Sequence, residues 1–229
     1  MKCQCCDAEC IKKRPDFHSP FNWYCKKCTT LHVPLYDPDI YDKDYRDDYL
    51  QRLNSPTNEP IQRIRWNLVK SQLNGGIVLD IGCGVGAFLR ACPSDFSVVG
   101  QEINPTCVEY CQGDKLKVST ELPEQQFDAI TMFDVLEHFP QLDSLNTIKN
   151  LLAPNGYLFI TVPNFTKDLL DDIKNWKHYK PYEHIHLFSV ESIKAIASKY
   201  GFQYLSTNWD ESEIRKPHRS ISSHILRAI

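Results

Sequence analysis

The sequence predicts an α/β fold built on a mostly parallel sheet, preceded by a small cysteine-rich module. Three observations predict the sheet. The apolar run Val78-Leu79-Asp80-Ile81 leads into a Gly82-x-Gly84-x-Gly86 turn and a short helical stretch from Ala87. A second run, Val98-Val99-Gly100-Gln101-Glu102, also ends in an acid. Strand-like and helix-like segments then alternate to the end of the chain, the pattern of a parallel sheet covered by helices. An apolar run bounded by glycines reads as a buried parallel strand. The glycines let the backbone turn sharply and let a ligand approach without meeting a Cβ.

At 229 residues and 42% apolar content, the chain holds one α/β domain and a small appendage. A net charge of −3 gives no general attraction to nucleic acid or to an anionic membrane. No apolar run reaches the length of a membrane span, and the charged start Met1-Lys2-Cys3 is not a signal peptide. The expected location is therefore cytoplasmic and reducing, where ten cysteines are not a disulfide set. No oligomeric state is read from the sequence.

Residues 1–34 explain six of those cysteines. Cys3-x-x-Cys6 and Cys25-x-x-Cys28 enclose 18 residues, the two-knuckle spacing of a zinc ribbon in which four thiolates close a tetrahedral structural site. The segment between them has few aliphatic residues, so a metal is needed to hold it. Cys5 and Cys10 compete as ligands, and Cys5 replaces Cys6 in a shifted register. Six basic residues (Lys2, Lys12, Lys13, Arg14, Lys26, Lys27) against Asp7, Glu9 and Asp16 leave this stretch locally positive. With Phe17, Phe21, Trp23 and Tyr24 interleaved, it fits a nucleic-acid face as well as a small core with a solvated rim.

Residues 35–76 are a connector. Tyr41, Tyr45 and Tyr49 are spaced by four, which places them on one helical face. Asn54-Ser55-Pro56-Thr57-Asn58 is turn chemistry. A helix follows Pro60, with Ile61, Ile64 and Leu68 on one face, and Asn74-Gly75-Gly76 stops it.

Residues 77–229 form the main domain. Asn104-Pro105 caps and opens a helix closed by Gly113. Leu116 to Ser119 is a third strand, and Phe127 to Phe133 a fourth that ends at Asp134. Leu151 to Gly156 closes a helix into a turn, and Tyr157 to Val162 is the fifth strand. Ser189 N-caps a helix over 190–200 that stops at Gly201. Phe202 to Trp209 and Ser220 to Leu226 make an antiparallel pair that finishes the sheet. Ligands of such sheets lie beyond the carboxyl ends of the strands, and an acid at the tip of the second strand, Glu102, is placed to reach a ribose diol.

The third glycine of the turn comes one residue earlier than in the Gly-x-Gly-x-x-Gly of nicotinamide-binding domains, and an acid precedes it. Together with Asp134-Val-Leu-Glu137-His138 and Glu183-His184-x-His186-x-Phe188-Ser189, this resembles class I S-adenosylmethionine (SAM)-dependent methyltransferases. These have a Rossmann-like sheet, and the resemblance is to the large group acting on small molecules, sugars and lipids. It spans roughly residues 77–200. It implies SAM held by Asp80, Gly82, Gly84, Gly86, Glu102, Ile103, Phe133 and Asp134, with Tyr41 and Tyr45 lying over it. Arg63 or Arg65 then neutralises the methionine carboxylate. A nicotinamide site and a plain strand–helix turn are the competing readings.

Methyl transfer from a sulfonium is an in-line displacement that needs alignment, and an oxygen or nitrogen acceptor must lose a proton. His184, His186 and His138 are the candidate bases, in that order. His184 and His186 alternate, so in an extended segment they point to opposite faces. Asp134, Glu137 and His138 with a later histidine also offer ligands for a divalent metal. Glu-x-x-Glu-His arrangements occur in small-RNA 2′-O-methyltransferases and ubiquinone-pathway O-methyltransferases, and this chain departs from them in having Asp134 first. The polar stretch 165–186 with Trp176, Tyr179 and Tyr182 is the expected substrate lid, and its lysines fit an anionic acceptor or a solvated face. The leading expectation is a SAM-dependent methyltransferase carrying a structural Zn2+ and acting on an O, N or C atom of a small molecule or nucleotide-linked sugar. The alternatives are an RNA or DNA methyltransferase and a non-catalytic SAM-binding module.

Overall fold

The structure, a computed structural model, describes residues 1–13, 21–35, 37 and 43–229. Arg14, Asp16, Phe17 and the cofactor candidate Tyr41 lie outside the described residues. The main sheet has seven strands: β4 (Gly76–Ile81), β5 (Phe96–Gln101), β6 (Val118–Ser119), β7 (Phe127–Phe133), β8 (Leu152–Pro163), β10 (Phe202–Asn208) and β11 (Ile221–Ala228). Their order is β10-β11-β8-β7-β4-β5-β6. β4 to β8 run parallel, and β11 is antiparallel to both β8 and β10. The α/β expectation with an antiparallel finish is met.

The chain winds outward from β4 through β5 to β6, then returns to the other side of β4 with β7. The crevice between the carboxyl ends of β4 and β7 is therefore the switch point where such sheets bind ligands. Burial on both faces explains the apolar strands: Val78, Leu79, Ile130, Met132 and Ile160 are all fully enclosed. Helix α4 (Pro105–Gly113) is capped by Asn104, whose side chain accepts from the amides of Thr106 and Cys107, as its sequence predicts.

Two elements differ from expectation. β8 begins at Leu152 rather than Tyr157, because the Pro154-Asn155-Gly156 turn is a bulge within the strand. Its register against β7 shifts between Phe127 and Ala129, and Asn155 takes a φ of 64°. Helix α2 (Asn58–Lys70) starts before Pro60, which the first turn tolerates because its missing N–H has no intrahelical partner there. Its buried face is Gln62, Trp66, Leu68 and Val69 rather than Ile61 and Ile64. Trp66 stacks on Phe88 of the helix α3 (Ala87–Arg90) at 4.2 Å between ring centroids.

A second, four-stranded sheet is antiparallel throughout. β1 (Ile11–Lys13), β2 (Asn22–Cys25) and β3 (Thr30–His32) come from the cysteine module, but β9 (His186–Leu187) comes from the Glu-His-x-His segment. Tyr24 is core here, packed edge-on against Phe165. The next element, α5 (Val190–Lys199), opens on a capping box between Ser189 and Ser192. Both hydroxyls also donate to the carbonyl of Cys28 at 3.0 Å. Ser189→Ala should therefore cost about 1–2 kcal/mol, the upper part of the usual range for a lost cap, read as a lower urea midpoint with an unchanged slope. Among the described residues, no helix is long and apolar enough to cross a membrane.

Candidate functional site

Three strand ends build the crevice. After β4, Gly82 turns at φ 68°, and a Cβ there would sit 2.5 Å from the Val135 side chain. Gly84 turns at φ 54° beneath the ring of Tyr49, where a Cβ would lie 3.1 Å from ring carbons. Its amide donates to Glu102 Oε2 at 2.8 Å, while the other carboxylate oxygen accepts the Asn104 amide at 2.9 Å. Glu102 is thereby fixed past the tip of β5. Burial pushes its carboxyl up, and these amides pull it back. Gly86 closes the turn as the left-handed residue before α3.

The cleft has two lobes of about 440 and 430 Å³ that share Tyr45, Tyr49, Gly82, Asp134 and His138. The first is mostly apolar, lined by Ile81, Ile103, Leu122, Val135 and Phe139, with Glu102 on its wall. Ile103 is 60% exposed and stands at its mouth. The second is polar, lined by Asp80, Arg65, Glu137, His178, His184 and Arg215 among others. Helix α1 (Lys43–Leu53) brings Tyr45 and Tyr49 together edge-on at 5.0 Å. Burial pushes the Tyr45 hydroxyl up to about 12.

Asp80 is buried on the floor of the second lobe, where desolvation raises its carboxyl to about 7 despite a 2.6 Å hydrogen bond from the Thr131 hydroxyl and the nearby Arg65. Asp134 follows β7 in a left-handed conformation, φ 60°. It accepts from Arg65 at 2.7 Å and from Arg215 at 2.8 Å, and both arginines also bind Glu211, which is 1% exposed. Despite burial, the two guanidiniums hold the Asp134 carboxyl below its usual range. Phe133 packs under the Arg65 guanidinium at 4.7 Å. Arg65 thus reaches the cleft with two acids already on it, whereas Arg63 is exposed and pairs with Glu59.

The histidines divide. His138 donates through Nδ1 to the carbonyl of Glu183 at 2.9 Å, and His184 through Nδ1 to that of His178 at 2.8 Å. In each neutral ring the lone pair then belongs to Nε2. Ligand atoms of Glu137, His138 and His184 all lie within 4.8 Å of one another, and the two imidazoles meet edge-on. Both Glu137 oxygens are buried with no hydrogen-bond partner among the described residues, and desolvation pushes this carboxyl far up. Desolvation also lowers His138 to about 4 and brings His184 down. Asp134 stands outside this group, because its carboxylate is turned to the arginines. His186 is in neither lobe: it is 1% exposed in β9, with Nδ1 2.9 Å from Nδ1 of His32. The geometry therefore corrects its placement as a cleft base. His178, a cleft residue whose buried Nε2 has no hydrogen-bond partner among the described residues, carries no motif of its own; only the polar character of 165–186 pointed to it.

The sulfurs of Cys3, Cys6, Cys25 and Cys28 also lie within 4.8 Å of one another. The Cys3–Cys28, Cys6–Cys25 and Cys6–Cys28 separations are 3.5, 3.6 and 3.5 Å. A tetrahedron with metal–sulfur bonds of about 2.3 Å has edges of about 3.8 Å, so the four thiols fit one zinc ion. Cys5 is buried with its sulfur taking the Thr30 hydroxyl, and none of the ten cysteines is in a disulfide.

The solved structures that the chain resembles share this fold. A SAM-dependent methyltransferase from Thermotoga maritima, described as a possible histamine N-methyltransferase, aligns with a TM-score of 0.61 at 18% identity, over 81% of this chain and 97% of that one. Magnesium protoporphyrin IX methyltransferase from Synechocystis, solved with SAM bound, aligns with a TM-score of 0.51 at 18% identity, over 84% and 86%. In sequence, the ubiquinone biosynthesis O-methyltransferase of Pseudomonas syringae is 29% identical over 118 residues, 44% of this chain and 50% of that protein. An uncharacterized protein of Haemophilus influenzae is 30% identical over 146 residues, 53% of this chain and 57% of that protein. The chain spans about half the length of the curated relatives it matches. The methyltransferase domain family matches residues 48–207, from α1 through most of β10, and the chain belongs to that family.

Proposed function

We propose that this protein transfers a methyl group from SAM to an oxygen or nitrogen of a small molecule, with residues 77–229 as the catalytic domain and 35–76 as a connector over its cleft. The observation that carries this reading is the two-lobed cleft at the β4–β7 switch point, with carboxylates at the tips of two adjacent strands. Glu102, beside the apolar lobe, suits a ribose diol with an adenine lying against Ile103 and Leu122. Asp80 suits the methionine ammonium, and Tyr45 and Tyr49 cover the junction of the lobes. Bound SAM supplies an electrophilic methyl group on a sulfonium. The chain's part is to exclude water, align the acceptor and take its proton.

His184 Nε2 is the favoured proton acceptor. Its ring is fixed by the His178 carbonyl, and its lowered basicity keeps it neutral and ready at neutral pH. The relatives described as ubiquinone biosynthesis O-methyltransferases support a small-molecule acceptor. An anionic handle has less support: the Lys177 ammonium is taken by the carbonyls of Arg215 and Lys216, and Lys180 pairs with Glu183.

A second reading is favoured by the unpartnered Glu137 carboxylate: Glu137, His138 and His184 fit a divalent cation, which would supply Lewis acidity to an acceptor hydroxyl. In the cysteine module, residues 1–34, we assign Cys3, Cys6, Cys25 and Cys28 to a structural zinc on their spacing and sulfur separations.

The test is label transfer from methyl-labelled SAM to a panel of catechols and phenols. Wild-type protein should transfer label, and His184→Ala should lose roughly a hundredfold or more while SAM affinity measured by calorimetry stays within a few-fold. A protein that binds no SAM overturns the assignment. Dialysis against a chelator followed by Mg2+ or Mn2+, with zinc content followed in parallel, separates the two roles of the histidines. Restoration by either ion at constant zinc selects the cation.

A further inference from the structure

The four thiols assigned to zinc leave a second set of metal-binding groups unused. Cys10 and His32 are both buried, and their ligand atoms lie with Cys3 Sγ inside a 4.8 Å circle. His32 Nε2 is 3.3 Å from Cys3 Sγ. Cys10 is held there by backbone: its amide donates to Met1 O, and the Cys3 amide to Ala8 O, each at 2.9 Å, closing the loop between the two cysteines. Thiols and an imidazole gathered out of water at this separation are the ligands of a soft metal site.

We propose that the module binds two zinc ions, the second held by Cys10 and His32 with the Cys3 thiolate shared between them. The proposal rests on the structural-zinc reading above.

Two further features agree. A histidine that ligates through Nε2 needs its other nitrogen protonated and held. His32 Nδ1 meets His186 Nδ1 at 2.9 Å, in a pair set by the β3–β9 register. Of two facing nitrogens only one can carry the proton, and ligation by His32 decides that its Nδ1–H donates to His186. The buried imidazole of His186 is then an orienting residue for the metal site, which accounts for its place away from the cleft. Charge agrees too. One zinc on four thiolates leaves two negative charges in a buried site, whereas two zinc ions on five thiolates leave one, and buried net charge is costly.

Elemental analysis of the full chain, purified with zinc present, is the test. Two zinc per chain are expected, falling to one in Cys10→Ser and in His32→Ala, with the far-UV circular dichroism of both variants retained. One zinc in the wild type that Cys10→Ser retains overturns the proposal and leaves the structural zinc standing; one zinc that Cys10→Ser removes, or none, overturns both. Two zinc of which one is lost in Glu137→Gln rather than in the module variants also overturns it, because the second ion is then in the cleft. Should either variant fail to fold, cobalt substitution of the wild type decides: two spectrally distinct equivalents at the thiolate sites are expected, and a single equivalent refutes the second position.

Discussion

Asp80→Asn should weaken binding of S-adenosylhomocysteine by roughly tenfold to a hundredfold, the loss expected when a hydrogen bond to a charged group is removed from a buried site. The homocysteine moiety carries the same ammonium as SAM, so the measurement needs no acceptor. The pH dependence is the sharper signature. Burial raises Asp80 to about 7, against the hydrogen bond of Thr131 and the attraction of Arg65, with Glu102 adding repulsion. An ammonium ligand binds the ionised form, so affinity should be flat above pH about 7 and fall about tenfold per unit below it.

His138, lowered to about 4, is neutral through most of that window. The stability of the free protein runs the other way. A carboxyl whose folded pKa lies above its unfolded value of about 4 binds protons more tightly when folded. Its contribution is therefore full below pH about 4 and is lost as pH rises towards 7. Calorimetric titrations across this range, on wild type and Asp80→Asn, should show the slope only in the former. A pH-independent affinity shared by both would remove Asp80 from the donor site.

Arg65→Ala should destabilise the fold by about 3–5 kcal/mol, the usual cost of taking one partner from a buried ion network. Arg65 is 13% exposed and bridges Asp134 and Glu211, and Glu211 has almost no access to water. With Arg65 gone, two carboxylates face Arg215 alone. A chain of this size should lose about 2–4 °C of melting temperature for each kcal/mol. Arg65→Lys should rescue little of it, because an ammonium cannot match the planar, multidentate contacts of a guanidinium. A melting temperature unchanged in Arg65→Ala would show the network to be a surface feature. Asp134 follows the opposite linkage from Asp80: its folded pKa is depressed, so its contribution is present above its unfolded value and lost only as pH falls through the folded one.

Where the signal was local, the sequence was legible. The Asn104 cap with Pro105 and Gly113, the Phe127–Phe133 strand and the Ser189 cap are each written in a few neighbouring residues. So is the alternation that sets the fold class. The bulge in β8 was not readable, because Pro-Asn-Gly signals a turn whether or not the flanking residues go on pairing. Tyr49 shared its spacing with Tyr41 and Tyr45, and only folding shows it roofing Gly84. The Arg65–Asp134–Glu211–Arg215 network joins residues up to 150 positions apart through side chains that leave no periodic trace. His186 was misplaced for the same reason. Alternation tells which histidines face apart, but the partner across β9 is His32, at the far end of the chain.

That partner strand also bears on how the protein can be divided. The backbone of β9 pairs with the first module, with Leu31 opposite Leu187, His32 opposite His186, and the Val33 amide on the Ile185 carbonyl. Cutting the chain after the module would not release a tidy catalytic half. It would strip the cover from Ile185 and Leu187, both buried, and leave an apolar strand edge next to His184, the kind of edge on which molecules stick to one another.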